Sequence, residues 1–395
     1  MAPFAGWEMP IQYPTGILAE HRAVRAAAGL FDVSHMSAFE VAGPDALAFL
    51  DTVLTNSASR VKEGRAQYTC ALYPDGSTVD DLFLYRIEAE RFVILSNAAN
   101  AGRMWDWLDA VNSRRQAIDE DDPSREAPGP VALRDLREAG EDSLAGLALQ
   151  GPQSLSILRE LADTGEDRAT LDGLRRNRIA PAKLAGRPAL VSRTGYTGEP
   201  VGFETYLHPD ALPEIWNAVL EVGAPLGALP AGLGARDSAR IEAGLPLFGH
   251  EIEGDLGISI TEAGYAFAVK FEVPFFVGRK ACKERVERSR RHLLRLRGQG
   301  RKTLRPGHAI LDEAGRPCGE VTSFAYVRDD QTFIVLACVE EGFAPEVGST
   351  VKGARVPRAG ADEVEPRRVV ELENLARFPT DEERAGWAKA YGSEL

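Results

Sequence analysis

Long apolar runs are missing from this chain: no stretch approaches the ~18 consecutive apolar residues that a membrane-spanning helix needs. The opening Met1-Ala2-Pro3-Phe4-Ala5-Gly6-Trp7 lacks the basic-then-apolar layout of a secretory signal, so the expected location is cytoplasmic, with no membrane partner. Cysteine is scarce as well. Cys70, Cys282, Cys318 and Cys338 lie far apart, with no C-x-x-C pair and no Cys/His spacing of a zinc site, which argues against a disulfide scaffold and predicts no metal. Positive charge is in deficit: 46 Lys and Arg face 59 Asp and Glu, a net charge of −13, which argues against a general nucleic-acid partner. Also absent are a Walker-type phosphate loop, G-x-G-x-x-G after a strand, a G-x-S-x-G elbow and an H-E-x-x-H helix. Phosphoryl transfer, Rossmann-type redox chemistry and zinc hydrolysis lose support accordingly.

What remains is ordinary globular material, 44% hydrophobic and 27% charged over 395 residues. At about 100–200 residues per domain the length predicts two or three domains. Ala19 to Ala28, Pro44 to Leu54 and Arg103 to Val111 read as helices, the second with Pro44 in its first turn. Gln67 to Tyr73 and Thr78 to Ile87 read as a hairpin about Pro74-Asp75-Gly76-Ser77, extended by Arg91 to Ser96. Helices mixed with antiparallel hairpins predict an α+β fold rather than a doubly wound sheet. Asp119 to Pro123 reads as an exposed acidic loop. From Arg279 to Arg305 there are 12 Lys and Arg against only Glu284 and Glu287. That stretch reads either as a solvated helix face with a linker or as a landing site for an acidic partner or a polycarboxylate tail. Beyond it, His308 to Leu311, Gly319 to Thr322, Thr332 to Val339, Thr350 to Val356 and Arg368 to Leu372 predict a small all-β domain.

Chemistry concentrates in three places. Val79-Asp80-Asp81-Leu82-Phe83-Leu84-Tyr85 sets two carboxylates in an apolar strand; the two-residue period puts Asp81 on one face with Val79, Phe83 and Tyr85, and Asp80 on the other with Leu82 and Leu84. A carboxylate in such surroundings is either a cap for backbone donors near the hairpin or a functional group. Ser192 to Glu199, followed by Gly202-Phe203-Glu204, collects glycines that admit a close ligand and acids able to accept paired hydrogen bonds from an aminopyrimidinone edge. Gly232 to Asp237 leads into a helical run carrying Arg240 and Glu242; structural turns with Asp237 as a helix cap explain it about as well as a site does. His35 and His250 read as hydrogen-bonded structural residues, and Trp7, Trp105 and Trp107 as core.

Taken in order, Pro3 to Pro10, Phe31-Asp32-Val33-Ser34-His35-Met36, Gln67-Tyr68-Thr69, Val79 to Leu82 and Asn97-Ala98-Ala99-Asn100 form one series. Leu149-Gln150-Gly151-Pro152, Arg193 to Glu199, Gly232 to Asp237 and Val277-Gly278-Arg279 continue it. The series resembles the aminomethyltransferase, or T-protein, of the glycine cleavage system, strongly to Ala281 and more thinly beyond. The resemblance implies a three-domain cloverleaf: two interleaved α/β folate-binding domains and a C-terminal small β-barrel. The corresponding boundaries are 1–278 for the folate-binding body, 279–305 for a basic helix or linker, 306–373 for the barrel and 374–395 for a tail. It implies transfer of a methylene unit to tetrahydrofolate from an aminomethyl group on the lipoyl arm of a carrier protein, with loss of ammonia. Asp81 matches the family's catalytic carboxylate; Tyr68, Asn97 and Tyr196 match folate-lining residues; Glu204 matches the carboxylate that holds the pterin; Arg236 matches a site arginine and Met36 an apolar wall.

The chain departs from that pattern in places. It opens inside the Phe-Ala-Gly-Trp motif, with the expectation that a short preceding helix is missing. Glu40 is expected near the ligand cavity in place of an apolar residue, and Asp172 where a tyrosine often closes the site. Thr322-Ser323-Phe324-Ala325-Tyr326-Val327-Arg328-Asp329 replaces a familiar third-domain turn. These departures leave two other readings: a tetrahydrofolate-dependent demethylase acting on a small N-, O- or S-methyl substrate, and, less favoured, a non-catalytic folate-binding protein.

Overall fold

The computed structural model describes residues 1–358 and 366–392; residues 359–365 of the expected barrel region and 393–395 of the expected tail lie outside the described residues. A six-stranded sheet runs in the order Ile179–Leu184, Arg187–Ser192, Gly202–Leu207, Ala145–Gln150, Gly29–Asp32, Leu229–Pro230. A five-stranded antiparallel sheet runs Arg65–Leu72, Thr78–Glu88, Arg91–Ser96, Ser37–Ala42, Ala132–Asp135. The chain crosses between them, from Gly29–Asp32 to Ser37–Ala42 and back from Ala132–Asp135 to Ala145–Gln150, so the two α/β units interleave as the resemblance implies. Arg291–Gln299, Thr332–Glu340, Pro317–Tyr326, His308–Leu311, Thr350–Pro357 and Val369–Leu375 close into a barrel.

Each sheet is covered on one side by helices whose apolar stripe dictates the packing. On helix Ala101–Asn112 the buried positions Ala101, Met104, Trp107, Leu108 and Val111 follow the helical repeat and pack on Leu82, Leu84, Phe92 and Ile94. Helices Ser154–Leu161 and Leu212–Gly223 supply Ile157, Leu158, Leu161, Ile215 and Val219 to the core over Leu147, Leu149 and Phe203. The opposite faces of the two sheets meet through Ala38, Tyr85, Val93, Ile179 and Tyr206. At about 1.5–3 kcal/mol for each large apolar side chain fully buried, these layers hold the sheets at a fixed separation.

Four expectations change against the structure. The segment 279–305, expected as a basic helix or linker, also contains a strand: helix Arg279–Arg288 ends before Ser289, and Arg291–Gln299 is part of the barrel. Alternation explains the switch, since Leu294 and Leu296 fill the barrel while the side chain of Arg295 is buried outside it and ion-paired to Glu383 at 2.6 Å. The basic stretch is also largely neutralised from within, Lys280, Arg285, Arg288, Arg290, Arg291 and Arg297 pairing with Asp121, Glu253, Glu284, Glu341, Glu262 and Glu373. Asp237 caps nothing: helix Leu233–Glu242 starts after Gly232, and Asp237 lies within it, accepting from Arg240 at 2.8 Å. Val79 does not share a face with Asp81. The pairing Cys70↔Asp81, Ala71↔Asp80, Leu72↔Thr78 leaves Val79 as the extra residue of a bulge, and its side chain joins the Leu82 and Leu84 core.

Two further residues lie away from where they were expected. Glu40 is buried at 5% exposure inside Ser37–Ala42, held by Arg91 Nε at 2.6 Å and Arg134 Nε at 2.8 Å, and does not line the cavity described below. Asp172 is exposed on helix Gly165–Gly173 and pairs with Arg159 at 3.1 Å. The charge in each position is accommodated by arginine, Arg91 and Arg134 for Glu40 and Arg159 for Asp172.

Candidate active site

Between the inner faces of the two sheets lies a cavity of about 310 Å³. It brings together all seven residues singled out from the sequence, Met36, Tyr68, Asp81, Asn97, Tyr196, Glu204 and Arg236. Strand Thr78–Glu88 places Asp81, Phe83 and Tyr85 on its cavity face. Strand Gly202–Leu207 answers with Glu204 and Tyr206 from the other sheet. Tyr265, Phe267 and Phe378 add an aromatic wall.

The adjacent acids divide the two roles left open by their sequence. Asp80, buried, accepts from Ser96 Oγ, from the Asn97 backbone N–H at 2.8 Å, from Asn97 Nδ2 at 2.8 Å and from Asn100 Nδ2 at 2.6 Å. It is the cap, and it fixes the turn that carries Asn97. Asp81 instead faces the cavity, accepting from the Tyr68 hydroxyl at 2.7 Å and from Asn97 Nδ2 at 3.0 Å. Asn97 Nδ2 thus touches both carboxylates. Burial raises both carboxyls above the usual range, Asp80 to about 7 with the neighbouring Asp81 charge as a second cause. The hydrogen bonds from Tyr68 and Asn97, and the Arg236 charge, oppose that rise at Asp81.

Glu204 is organised in the same manner. Thr194 donates its hydroxyl to Glu204, and the Tyr85 hydroxyl lies 3.1 Å from Thr194 Oγ1. Burial raises the Glu204 carboxyl, with bonds from Thr194 and Tyr206 and the Arg236 charge opposing. The loop between strands Arg187–Ser192 and Gly202–Leu207 is shaped by Gln150, whose Nε2 donates to Thr194 O at 3.1 Å and whose Oε1 accepts from Thr197 at 2.9 Å. A Cβ at Gly195 would collide with that side chain, and Gly198 holds φ at +80°. Tyr196 donates its hydroxyl to Pro246 O at 2.5 Å, and the Arg236 guanidinium sits 4.8 Å over the Tyr196 ring. Among the described residues Arg236 has no ion-pair partner. His35, by contrast, is 1% exposed with both ring nitrogens unpartnered, and burial lowers it to about 4, so it is neutral at physiological pH.

The site contains residues that sequence reasoning did not reach. Phe83 and Tyr85 were visible as the strand mates of Asp81. Tyr265, Phe267, Phe378 and Arg384 were not, because they come from irregular segments and the tail, with no periodicity to announce a wall. Among the described residues no group of three or more potential metal-binding side chains gathers, and no helix is long and apolar enough to cross a membrane.

A closed barrel beside two interleaved sheets that flank an acidic and aromatic cavity defines the class of this fold, an α+β protein with a central site. The model of the GCVT N-terminal domain matches residues 1–273. An aminomethyltransferase of Thermus thermophilus is 41% identical over 359 residues, covering 91% of this chain and 93% of that protein. That of Chloroherpeton thalassium is 40% identical over 323 residues, 82% of each. The crystal structure of the glycine cleavage system aminomethyltransferase T from Bartonella henselae superposes with a TM-score of 0.76 at 29% identity, covering 95% of this chain and 92% of that one. This chain belongs to the GCVT family of aminomethyltransferases.

Proposed function

We propose that this enzyme transfers a methylene unit to tetrahydrofolate from an aminomethyl group carried on the lipoyl arm of a carrier protein, the C–N bond breaking to release ammonia and the C–S bond to leave the arm as its free thiol. The observation that carries the reading is Asp81: an anion pinned by Tyr68 and Asn97 in a part-buried, aromatic cavity. When ammonia leaves an aminomethyl thioether, positive charge builds on the transferred carbon. A fixed carboxylate with few competing waters stabilises that charge far better than solvent does. Asp81 also accepts a proton from the attacking amine.

The residues present fit the acceptor. Glu204 offers a carboxylate for the paired N–H donors of a pterin edge, while Tyr68, Tyr196 and Met36 supply apolar walls and Arg236 an unpaired cation. Tetrahydrofolate supplies the amine nitrogens that take the carbon. Asn97 keeps Asp81 in one rotamer by bonding both its carboxylate and its backbone carbonyl, at 3.0 Å each. Glu40 and Phe324 to Asp329, the departures that suggested another donor, both lie off the cavity wall. Nothing else favours the demethylase reading.

The direct test supplies tetrahydrofolate and aminomethyl-loaded carrier protein to the purified enzyme and measures ammonia and methylene-tetrahydrofolate; production of neither rejects the reading. Glu204→Gln is expected to weaken tetrahydrofolate binding by about 10–100-fold, the worth of a hydrogen bond to a charged group, in an anaerobic titration. Tyr68→Phe removes a donor that holds the Asp81 carboxyl down, so that carboxyl rises further. Activity that requires ionised Asp81 is then lost at a higher pH on acidification, and the acidic limb of the kcat/KM profile moves upward. An unmoved limb would show that Asp81 is not the group titrating there.

A further inference from the structure

We propose that the C-terminal segment, Arg377 and Phe378 with helix Asp381–Gly392, is a working wall of the ligand cavity that positions the Gly195 to Glu199 loop. The inference rests on reading this cavity as the folate site.

Two chains of contact support it. In the first, Phe378 lines the cavity and stacks on Tyr265 at 5.8 Å between centroids, and Tyr265 sits edge-on to Tyr68 at 4.9 Å. Tyr68 in turn holds Asp81. In the second, Trp387, 2% exposed, lies 4.0 Å beneath the Arg25 guanidinium. Arg25 donates to Thr197 O at 2.9 Å and to Glu199 Oε1 at 2.8 Å, on the very loop that lines the cavity. Ala243 backs the loop at Gly198, where a Cβ would stand 2.3 Å from the Ala243 Cβ, and Ala243 packs in one cluster with Trp387 and Tyr391. Tyr391 completes the arrangement by donating to Glu242 Oε1 at 2.5 Å, while Glu242 Oε2 accepts from Arg25 Nε at 2.7 Å.

The same segment ties the barrel to the body. Arg295, on a barrel strand, pairs with Glu383 at 2.6 Å, and Arg377 donates to Ala263 O at 2.8 Å. The unusual third-domain segment packs here too, with Arg328 5.4 Å from the Tyr391 ring and Asp329 paired to Arg22. The altered turn and the tail therefore form one assembly around Tyr391. A cap serving stability alone would bury an apolar face without supplying Phe378 and Arg384 to the ligand wall.

The test compares Trp387→Ala, Trp387→Phe and Tyr391→Phe in the full chain. Hydrogen exchange of the backbone amides across residues 194–203 is read without ligand, alongside exchange of the remote helix Ala101–Asn112 and the dissociation constant for tetrahydrofolate. Trp387→Ala is expected to speed exchange of the loop by about tenfold with helix Ala101–Asn112 unchanged, and to weaken folate binding by about tenfold. Trp387→Phe keeps a ring under Arg25 and is expected to restore most of both. Tyr391→Phe, which removes one oxygen, shows the same signs on a smaller scale. Unchanged loop exchange in Trp387→Ala overturns the proposal, as does an equal rise in helix Ala101–Asn112, which would mark the C-terminal helix as a stability element only. If the wild type itself fails to bind tetrahydrofolate, the folate reading fails while the exchange comparison still decides whether the helix positions the loop.

Discussion

Asp81→Asn is expected to lower kcat by about 10²–10³-fold with folding and tetrahydrofolate affinity retained, the range seen when one preorganised charge partner is taken from a reacting centre. The amide keeps the shape and can still accept from Tyr68, so packing changes little. Its missing charge is what the reaction needs as the carbon becomes cationic. The neighbouring cap at Asp80 remains intact, with Ser96, Asn97 and Asn100 still in place, so the strand holds its position. Single-turnover measurement of ammonia release separates this loss from slow product release, and circular dichroism with a folate titration verifies the other half. Wild-type turnover would remove Asp81 from the chemistry; lost folate binding would make it a binding residue instead.

Arg25→Ala is expected to destabilise the protein by about 3–5 kcal/mol, the cost of leaving buried carboxylates without their cation. Arg25 is 1% exposed and serves Glu242 and Glu199 at once, at 2.7 and 2.8 Å. Arg25 holds the Glu242 carboxyl well below the usual range against the opposing pull of burial, with His21 and Tyr391 assisting. A depressed carboxyl contributes stability at pH values above its unfolded titration, and that contribution disappears as pH falls through the acid range. The wild type should therefore lose stability on acidification more steeply than Arg25→Ala does. The control is Arg60→Ala: the Arg60 to Glu272 pair spans a similar 3.1 Å but is 58% and 55% exposed, so its loss is expected to cost about 1 kcal/mol or less. Urea midpoints for both variants decide the matter, and equal shifts would contradict the ranking by burial.

Much of this architecture is written locally. Arg91 to Ser96 was legible to the residue, as was His308 to Leu311, because each is a short apolar run containing β-branched residues and bounded by turn signals. The barrel strand Arg291–Gln299 was hidden because its arginines resemble a solvated helix until Glu383, Glu373 and Glu262 supply partners from distant segments. The candidate site shows the same division. Asp81 declared itself by being a carboxylate out of place in an apolar strand, and Glu204 by its glycine-rich neighbourhood. The assignment of cap to Asp80 and cavity to Asp81 needed Asn97 and Asn100, which meet the strand only across the sheet. Tyr265 and Phe378 depend on tertiary packing alone, and no local pattern could announce them.

The bulge at Val79 has a bearing on how this protein can vary. Side-chain alternation along an unbroken strand would couple the direction of Asp81 to every residue between it and the hairpin at Pro74 to Ser77. The extra residue resets that phase just before the two acids, pairing Asp80 with Ala71 and Asp81 with Cys70 whatever precedes them. Lengthening or shortening the hairpin therefore need not exchange the two carboxylates. The turn itself is held tightly: Gly76, at φ +79°, docks so closely on Ala281 and Cys282 that a Cβ there would stand 2.8 Å from the Cys282 backbone nitrogen, so the constraint on this hairpin comes from its docking and not from the aim of the acid.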